Sequence, residues 1–333
     1  MISSLPSSGS RGVKVIKATI GLTSNNASLI KDSQYFDAYE IQSQWSNFPI
    51  YDIPFSEDLD AYFEVQDLPG ASPHISFEES KIVTIGDYTN LERQTLDRRY
   101  SLFGNQGLFF RYVLSVLERK HSIFNFHACS FYDESDHHVV LVCGGMGGGK
   151  SAVMLAIAER GLFRILSTEI AHASLSDEGI VFYRGSPRNN VRLGHLVEDF
   201  PGLINRLGLT LPEAKDIWGT KCQVSFQRFS ASQEEIFNPK ITIVLPRIEE
   251  NVQRPRVESV SNRLKIARAL HENITDKIRS LSAIYETIPV DSLDNDVLTR
   301  NRLDFVRRFL EKGNIVKIAR IFASPHNCLE GWL

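Results

Sequence analysis

The sequence predicts an α/β fold in which a strand, a glycine-rich loop and a helix form a core between a β-rich N-terminal region and a helical C-terminal region. Three observations carry that expectation. The apolar run Val139-Val140-Leu141-Val142 leads into Gly144-Gly145-Met146-Gly147-Gly148-Gly149-Lys150-Ser151, and residues of helical periodicity follow. Before the loop, short β-rich pieces are separated by clusters of Pro, Gly, Ser and Asp, the punctuation of strands. After residue 260, apolar residues recur at helical spacing over two long runs.

The loop has the spacing G-x-x-x-x-G-K-S in the strand, loop and helix setting that a phosphate-binding loop (P-loop) requires. Glycines let the main chain curl into a concave nest, so that successive N–H groups and the positive end of the following helix point at phosphate oxygens. On this reading Gly144 to Ala152 hold a nucleotide, Lys150 reaches its β- and γ-phosphates, and the Ser151 hydroxyl ligates Mg²⁺. The four fixed positions alone would match by chance in roughly one chain of this length per hundred, given ordinary residue frequencies. A simple turn gives no reason for Lys then Ser at a helix start. Ala152, Met154, Leu155, Ile157 and Ala158 give that helix an apolar stripe, and Gly161 stands where a left-handed residue would end it.

The remaining elements follow in order. Residues 1–12 are a Ser- and Gly-rich tail without the apolar stretch of a signal peptide. Residues 13–103 form the β-rich region, with one strand over 13–22 and others at 61–65 and 81–88. Its aromatic residues Tyr35, Phe36, Trp45 and Phe48 read as core or interface. The core spans 104–250. It opens with a helix whose stripe is Leu108, Phe109, Tyr112, Val113, Val116 and Leu117. A strand over 124–131 then makes a hairpin with the loop strand, and after the loop helix come a strand over 163–170, a hairpin within 173–185, and a buried strand at 241–246 that closes the core. Residues 251–333 are helical, with runs at 261–285 and 298–321.

With 42% hydrophobic and 23% charged residues among 333, the chain has material for a sizeable core and more than one domain. A net charge of −3 argues against non-specific nucleic-acid binding. No apolar run approaches the ~18 residues needed to cross a bilayer, so the expectation is a cytoplasmic protein without a membrane partner. Cys129, Cys143, Cys222 and Cys328 are widely spaced and form no C-x-x-C pair, which indicates neither a zinc knuckle nor a disulfide framework.

Candidate chemistry gathers around the loop. Glu169 lies 18 residues after Ser151 at the end of a short strand, where a carboxylate holds Mg²⁺ or takes a proton from an attacking hydroxyl. His127 falls on the strand next to the one feeding the phosphates. Its imidazole accepts a hydroxyl proton when neutral, or stabilises developing phosphate charge when protonated. Arg188 and Arg192 read either as a bidentate clamp for phosphate or an anionic substrate, or as solvated surface residues. Lys221 opens a strand. His172 and the His137-His138 pair, set at a turn, are weaker candidates. Lys265, Arg268, Lys277 and Arg279 share a helix with Glu272 and Asp276 and read as a solvated face.

His127-Ala128 on a strand, a hairpin, the P-loop, a short helix ending at Arg160-Gly161, then Leu166-Ser167-Thr168-Glu169 and Val191-Arg192-Leu193 together resemble the HPr kinase/phosphorylase family over about residues 105–250. The likeness lies in motif order more than in residue identity. It implies a phosphoenolpyruvate carboxykinase-like P-loop nucleotide-binding fold, ATP and Mg²⁺ as cofactors, and assembly of copies through this core. Position by position, it makes Gly144 to Ser151 the phosphate loop and His127 the histidine near the γ-phosphate. Glu169 matches the second residue of an Asp-Asp pair that handles Mg²⁺ and the substrate hydroxyl. Lys221 matches a basic residue near the active site. The first Asp of the pair is Thr168 here, which leaves Glu169 or His127 as general base.

Two functions follow as expectations. The first is an ATP-dependent kinase that moves the γ-phosphoryl group to a hydroxyl of a peptide, protein or small alcohol, with His127, Glu169, Lys150 and Arg192 as its catalytic groups. The other, favoured by Thr168, is a nucleotide-binding regulatory or scaffold module with little or no turnover.

Overall fold

The computed structural model describes residues 9–30, 50–96, 98–145, 147–279, 282–291 and 293–333. They are mixed α/β and divide into two compact units that interleave in sequence: Met1–Ser122 with Lys277–Asn295, and Ile123–Asp276 with Asp296–Leu333. Among the described residues no helix is long and apolar enough to cross a membrane.

The first unit holds β1 (Gly9–Val15), β2 (Ala18–Ser24), β3 (Ile50–Ile53), β4 (Ala61–Asp67), β5 (His74–Phe77) and β6 (Lys81–Gly86), in the sheet order β3-β1-β2-β4-β6-β5. Two helices follow, α1 (Tyr88–Gln94) and α2 (Leu108–His121). Alternation along β4 buries Ala61, Phe63 and Val65 on one side. Phe63 meets Phe109 and Tyr112 of α2 at ring distances of 5.5 and 6.1 Å, so the apolar stripe of that helix covers the sheet.

In the second unit β7 (Ile123–Phe126), β8 (Ala128–Asp133) and β9 (His138–Cys143) precede the loop and its helix α3 (Lys150–Arg160). Next come β10 (Arg164–Ser167), β11 (Ala171–Leu175), β12 (Ile180–Tyr183), β13 (Arg188–Arg192) and α4 (Gly202–Leu207). After them lie β14 (Lys221–Ser225), β15 (Glu235–Phe237), β16 (Lys240–Ile248), β17 (Arg256–Ser259) and α5 (Arg263–Arg279), whose residues from Lys277 on fall in the first unit. The short pair β18 (Ala283–Ile284) and β19 (Ile288–Pro289) belongs to the first unit, and α6 (Asp296–Lys312) and β20 (Ile315–Ala323) to the second.

The main sheet of the second unit has the order β10-β8-β9-β16-β20-β17. Its centre, β9-β16-β20, is parallel, while β8 and β17 run antiparallel to their neighbours. Central parallel strands are covered on both faces and must be apolar on both, and β9 is buried from Val139 to Cys143. One face, with Val140, Val142 and Val244, packs on Val153, Met154 and Ile157 of α3. The other, with Leu141, Ile241 and Ile243, packs on Leu270 and Ile274 of α5 and Phe305 and Phe309 of α6. A four-stranded sheet, β15-β12-β11-β7, and the ribbon β13-β14 complete the unit.

Several expected elements differ. The strand expected over 13–22 is the hairpin β1-β2, turned at Ile16, whose φ is +58°. The tail expected over 1–12 gives way to β1 from Gly9; residues 1–8 and the aromatic group Tyr35, Phe36, Trp45 and Phe48 lie outside the described residues. The strand expected over 124–131 breaks at His127, which separates two strands of different sheets. The buried strand expected at 241–246 is β16, and it runs inside the sheet between β9 and β20. The helix expected over 298–321 stops at Lys312, and β20 follows. Gly313-Asn314 interrupts the helical period, after which Ile315, Ile318 and Ile321 sit in a β-branched run that pairs with β16 along eight positions.

His172 on β11 is fully buried, with Nδ1 2.7 Å from Asn125 Oδ1 on β7. Burial pushes its pKa from 6.5 down to about 3. The unfolded chain therefore binds a proton that the folded chain excludes, so this contribution to stability is complete above pH 6.5 and is lost as pH falls toward 3. Between pH 7.5 and 5.5, urea unfolding of the wild type should lose about 1 kcal/mol more stability than that of His172→Gln. Equal losses in the two proteins would contradict this origin.

Candidate functional site

The loop occupies the carboxyl end of β9, where parallel strands of an α/β sheet expose their ligand-binding edge. Gly149 makes the turn into α3 with a φ of +94°, in the left-handed region open to glycine. A Cβ there would stand 2.2 Å from Ile248 Cγ1 at the end of β16, so the close approach of strand and loop also needs glycine. Gly148 N–H donates to Gly145 O at 3.2 Å, and Val153 N–H begins the helical ladder on Gly149 O. Among the described residues, no acceptor meets the N–H of Gly147 or Gly149. Among the described residues, chain neighbours aside, no heavy atom lies within 4 Å of where a Cβ on Gly145 or Gly147 would stand. The Lys150 ammonium folds over the loop, with Nζ 2.6 Å from Gly144 O and 3.1 Å from Gly145 O. Ser151 and Ala152 open the first turn of α3; Met146 lies outside the described residues.

Strand register brings His127 to this loop. Ala128 pairs with Cys143 about one strand spacing (~5 Å) away, so His127 and Gly144 are the first residues beyond the same end of the β8-β9 ladder. Helix α5 holds the histidine from its other side. Asn273 Nδ2 donates to His127 O at 2.9 Å, and His127 Nδ1 lies 2.7 Å from Asp276 Oδ2. His127 is 7% exposed, whereas the Asp276 side chain is half-exposed. A carboxylate beside Nδ1 holds that nitrogen as the N–H donor, which makes Nε2 the basic nitrogen of the neutral ring.

Cys129 joins the loop to the segment bearing Glu169. Its Sγ donates to Thr168 O at 2.9 Å and lies 4.0 Å from Lys150 O. Burial pushes the thiol up to about 12, with Lys150 lowering it and Glu169 raising it. Both charged groups therefore act electrostatically on the same sulfur. Serine and carboxylate oxygens are the hard donors that Mg²⁺ takes, so Ser151 and Glu169 suit that ion chemically.

Thr168 has a different task. It is 1% exposed, and its Oγ1 faces Ser186 O at 3.0 Å and Arg188 O at 2.5 Å. Asn189 Nδ2 donates to Thr168 O at 2.8 Å. This side chain therefore fastens β10 to the start of β13, and a carboxylate in its place would face two carbonyl oxygens.

The remaining candidates are more dispersed. Alternation along β13 puts Arg188, Asn190 and Arg192 on one face, with Lys221 on β14 the register partner of Arg192. Arg188 is exposed, and its carbonyl touches Thr168. Arg192 lies four residues farther, about 13 Å along the strand, and donates to Trp218 O. His137 contacts Tyr132 Oη in its own hairpin and Phe237 O on β15, and His138 contacts Thr242 Oγ1 on β16, so both side chains are taken up by protein groups. The four cysteines are free. Sequence reasoning passed over Asp276 as part of a solvated face and did not single out Asn273. Their spacing of three on one helix side was the available signal.

No known family model matches the chain, and no curated protein matches it.

Thr168→Val should cost about 1–2 kcal/mol in urea unfolding, through the lost hydrogen bond. Thr168→Asp should cost more, because it buries a charge against carbonyls. An Asp variant as stable as wild type would show that this pocket is not the closed polar contact described.

Proposed function

We propose that the protein is an ATP- and Mg²⁺-dependent kinase with a phosphoenolpyruvate carboxykinase-like P-loop core, transferring the γ-phosphoryl group to a hydroxyl of a peptide, protein or small alcohol. The observation that carries this reading is the His127–Asp276 pair one strand away from a glycine loop that ends in Lys150 at a helix start. The antiparallel β8 beside the loop strand supports the core type, since it departs from an all-parallel doubly wound sheet.

Each group then has a role. The loop amides and Lys150 bind and neutralise the phosphates, which is most of what phosphoryl transfer asks of a protein. Mg²⁺, held with Ser151 and Glu169, would supply charge neutralisation between the phosphates. His127 Nε2 accepts the proton of the acceptor hydroxyl, and Asp276 stabilises the resulting imidazolium. General-base catalysis of this kind contributes about 10²- to 10⁴-fold. Arg192, engaged by Trp218 O, binds the acceptor rather than the γ-phosphate.

One observation favours the second reading, a nucleotide-binding regulatory module. Where the family resemblance calls for an aspartate, the Thr168 hydroxyl is spent on backbone carbonyls. The two readings part on turnover. Incubating a cell extract with isotopically labelled ATP and the protein should yield a labelled acceptor, and Lys150→Ala should abolish the label. Asp276→Asn should lower kcat at least tenfold while leaving the KM for ATP within about threefold, because it acts on the base and not on nucleotide binding. ATP that raises the melting temperature without any labelled product would favour the binding module.

A further inference from the structure

The ribbon β13-β14 has two unlike faces. Alternation turns Asn189, Val191 and Val224 inward, where Val191 and Val224 join the apolar cluster around Met154 and Ile157 of α3 and Asn189 Nδ2 binds Thr168 O. The outer face is Arg188, Asn190 and Arg192 on one strand, with Ser225, Gln223 and Lys221 opposite them in register. Arg188, Arg192, Lys221 and Ser225 are exposed, and Asn190 and Gln223 are half-buried between them. This face therefore carries three cations and no carboxylate, on a backbone held in place from its other side.

Other exposed arginines of the second unit are neutralised locally. Arg247, Arg256, Arg268 and Arg307 each meet a carboxylate two to four positions away, those of Glu249, Glu258, Glu272 and Asp304. Among the described residues neither Arg188 nor Arg192 has such a partner, and Arg192 donates to a carbonyl, Trp218 O. Two acids border the Trp218 segment, and both are committed to neutral donors. Glu198 Oε2 takes the Trp218 indole N–H at 3.2 Å, and Asp216 Oδ1 takes the amides of Trp218 and Gly219 at 3.1 and 2.8 Å.

Spacing narrows the ligand. Arg188 and Arg192 are four residues apart on a strand, about 13 Å, with uncharged Asn190 midway. An extended peptide has the same repeat, so two carboxylates with three residues between them come down on both arginines at once. A guanidinium takes each carboxylate in two parallel N–H···O bonds. A nucleic-acid strand would also set phosphate against the uncharged Asn190–Gln223 pair, and the chain's net charge of −3 opposes it at long range. We infer that the outer face of β13-β14 is a docking surface for an extended acidic segment of a partner protein, its spaced carboxylates meeting Arg188 at one end and Arg192 with Lys221 at the other. The surface is independent of the phosphate-loop reading.

NMR titration of the ¹⁵N-labelled full chain with capped peptides tests it. Glu-Ser-Thr-Ser-Glu should move the amide signals of β13 and β14. It should bind about three- to fivefold more tightly than its isomer Ser-Thr-Ser-Glu-Glu, the worth of one good exposed ion pair. Arg188→Gln should remove that preference and leave the two peptides alike, while Arg188→Lys, which keeps the charge, should retain most of it. Ribbon signals that stay in place with the spaced peptide, equal affinities of the wild type for the two isomers, or equal movement with Lys-Ser-Thr-Ser-Lys would overturn the docking surface. So would a single-stranded oligothymidylate that moves the ribbon signals farther than the spaced peptide does, which would assign the face to nucleic acid. None of these outcomes touches the phosphate loop, because the titration contains no nucleotide.

Discussion

The arrangement depends on one steric constraint, the contact between Gly149 and Ile248. A left-handed residue without a Cβ lets the loop lie directly against the end of β16. That contact sets the direction in which α3 leaves the sheet, and with it the direction of the amides at the helix start. Any larger residue would have to displace the strand or unwind the turn, and either would move the phosphate-facing groups. The apolar packing of Val153, Met154 and Ile157 on β9 and β16 then holds the helix in that place.

From this point the site is assembled by sheet geometry rather than by loops reaching across a cleft. Register between β8 and β9 delivers His127 to the loop, and Cys129 on the same strand links Lys150 to the Thr168 and Glu169 segment. The bend at His127 has a structural cause: the chain leaves one sheet and enters another there, so the residue's backbone is taken up by Asn273 instead of by a ladder. Helix α5 thus serves the core through Leu270 and Ile274 and the site through Asn273 and Asp276. Positions on rigid elements hold functional geometry more tightly than positions on loops.

Much of this was legible in the residues. The glycine loop, its strand and helix, the C-terminal Gly161 and the hairpins rest on local signals: β-branched runs, left-handed glycines and helical period. What escaped was non-local. The break at His127 depends on which sheet each half-strand joins, and nothing in 124–131 alone announces it. The pairing of Asp276 with His127 joins residues 149 positions apart. Asp276 sits among charges on an amphipathic helix, and half its side chain remains exposed, so its pattern is that of a solvated residue. Thr168 was read as a lost carboxylate, while its bonds to Ser186 O and Arg188 O depend on a β10-to-β13 contact that spacing does not reveal. The strand Ile315–Ala323 was hidden because its apolar residues also fit a helical period.

The central claim is that main-chain N–H groups of this loop grip nucleotide phosphates within reach of an imidazole. Amide-resolved NMR of ¹⁵N-labelled protein, titrated with Mg²⁺ and a non-hydrolysable ATP analogue, tests it most directly. The amide signals of Gly147 and Gly149 should move farthest, with saturable dependence on the analogue, and the His127 ring signals should move with them. Glycine amides that stay in place at saturating analogue would contradict it.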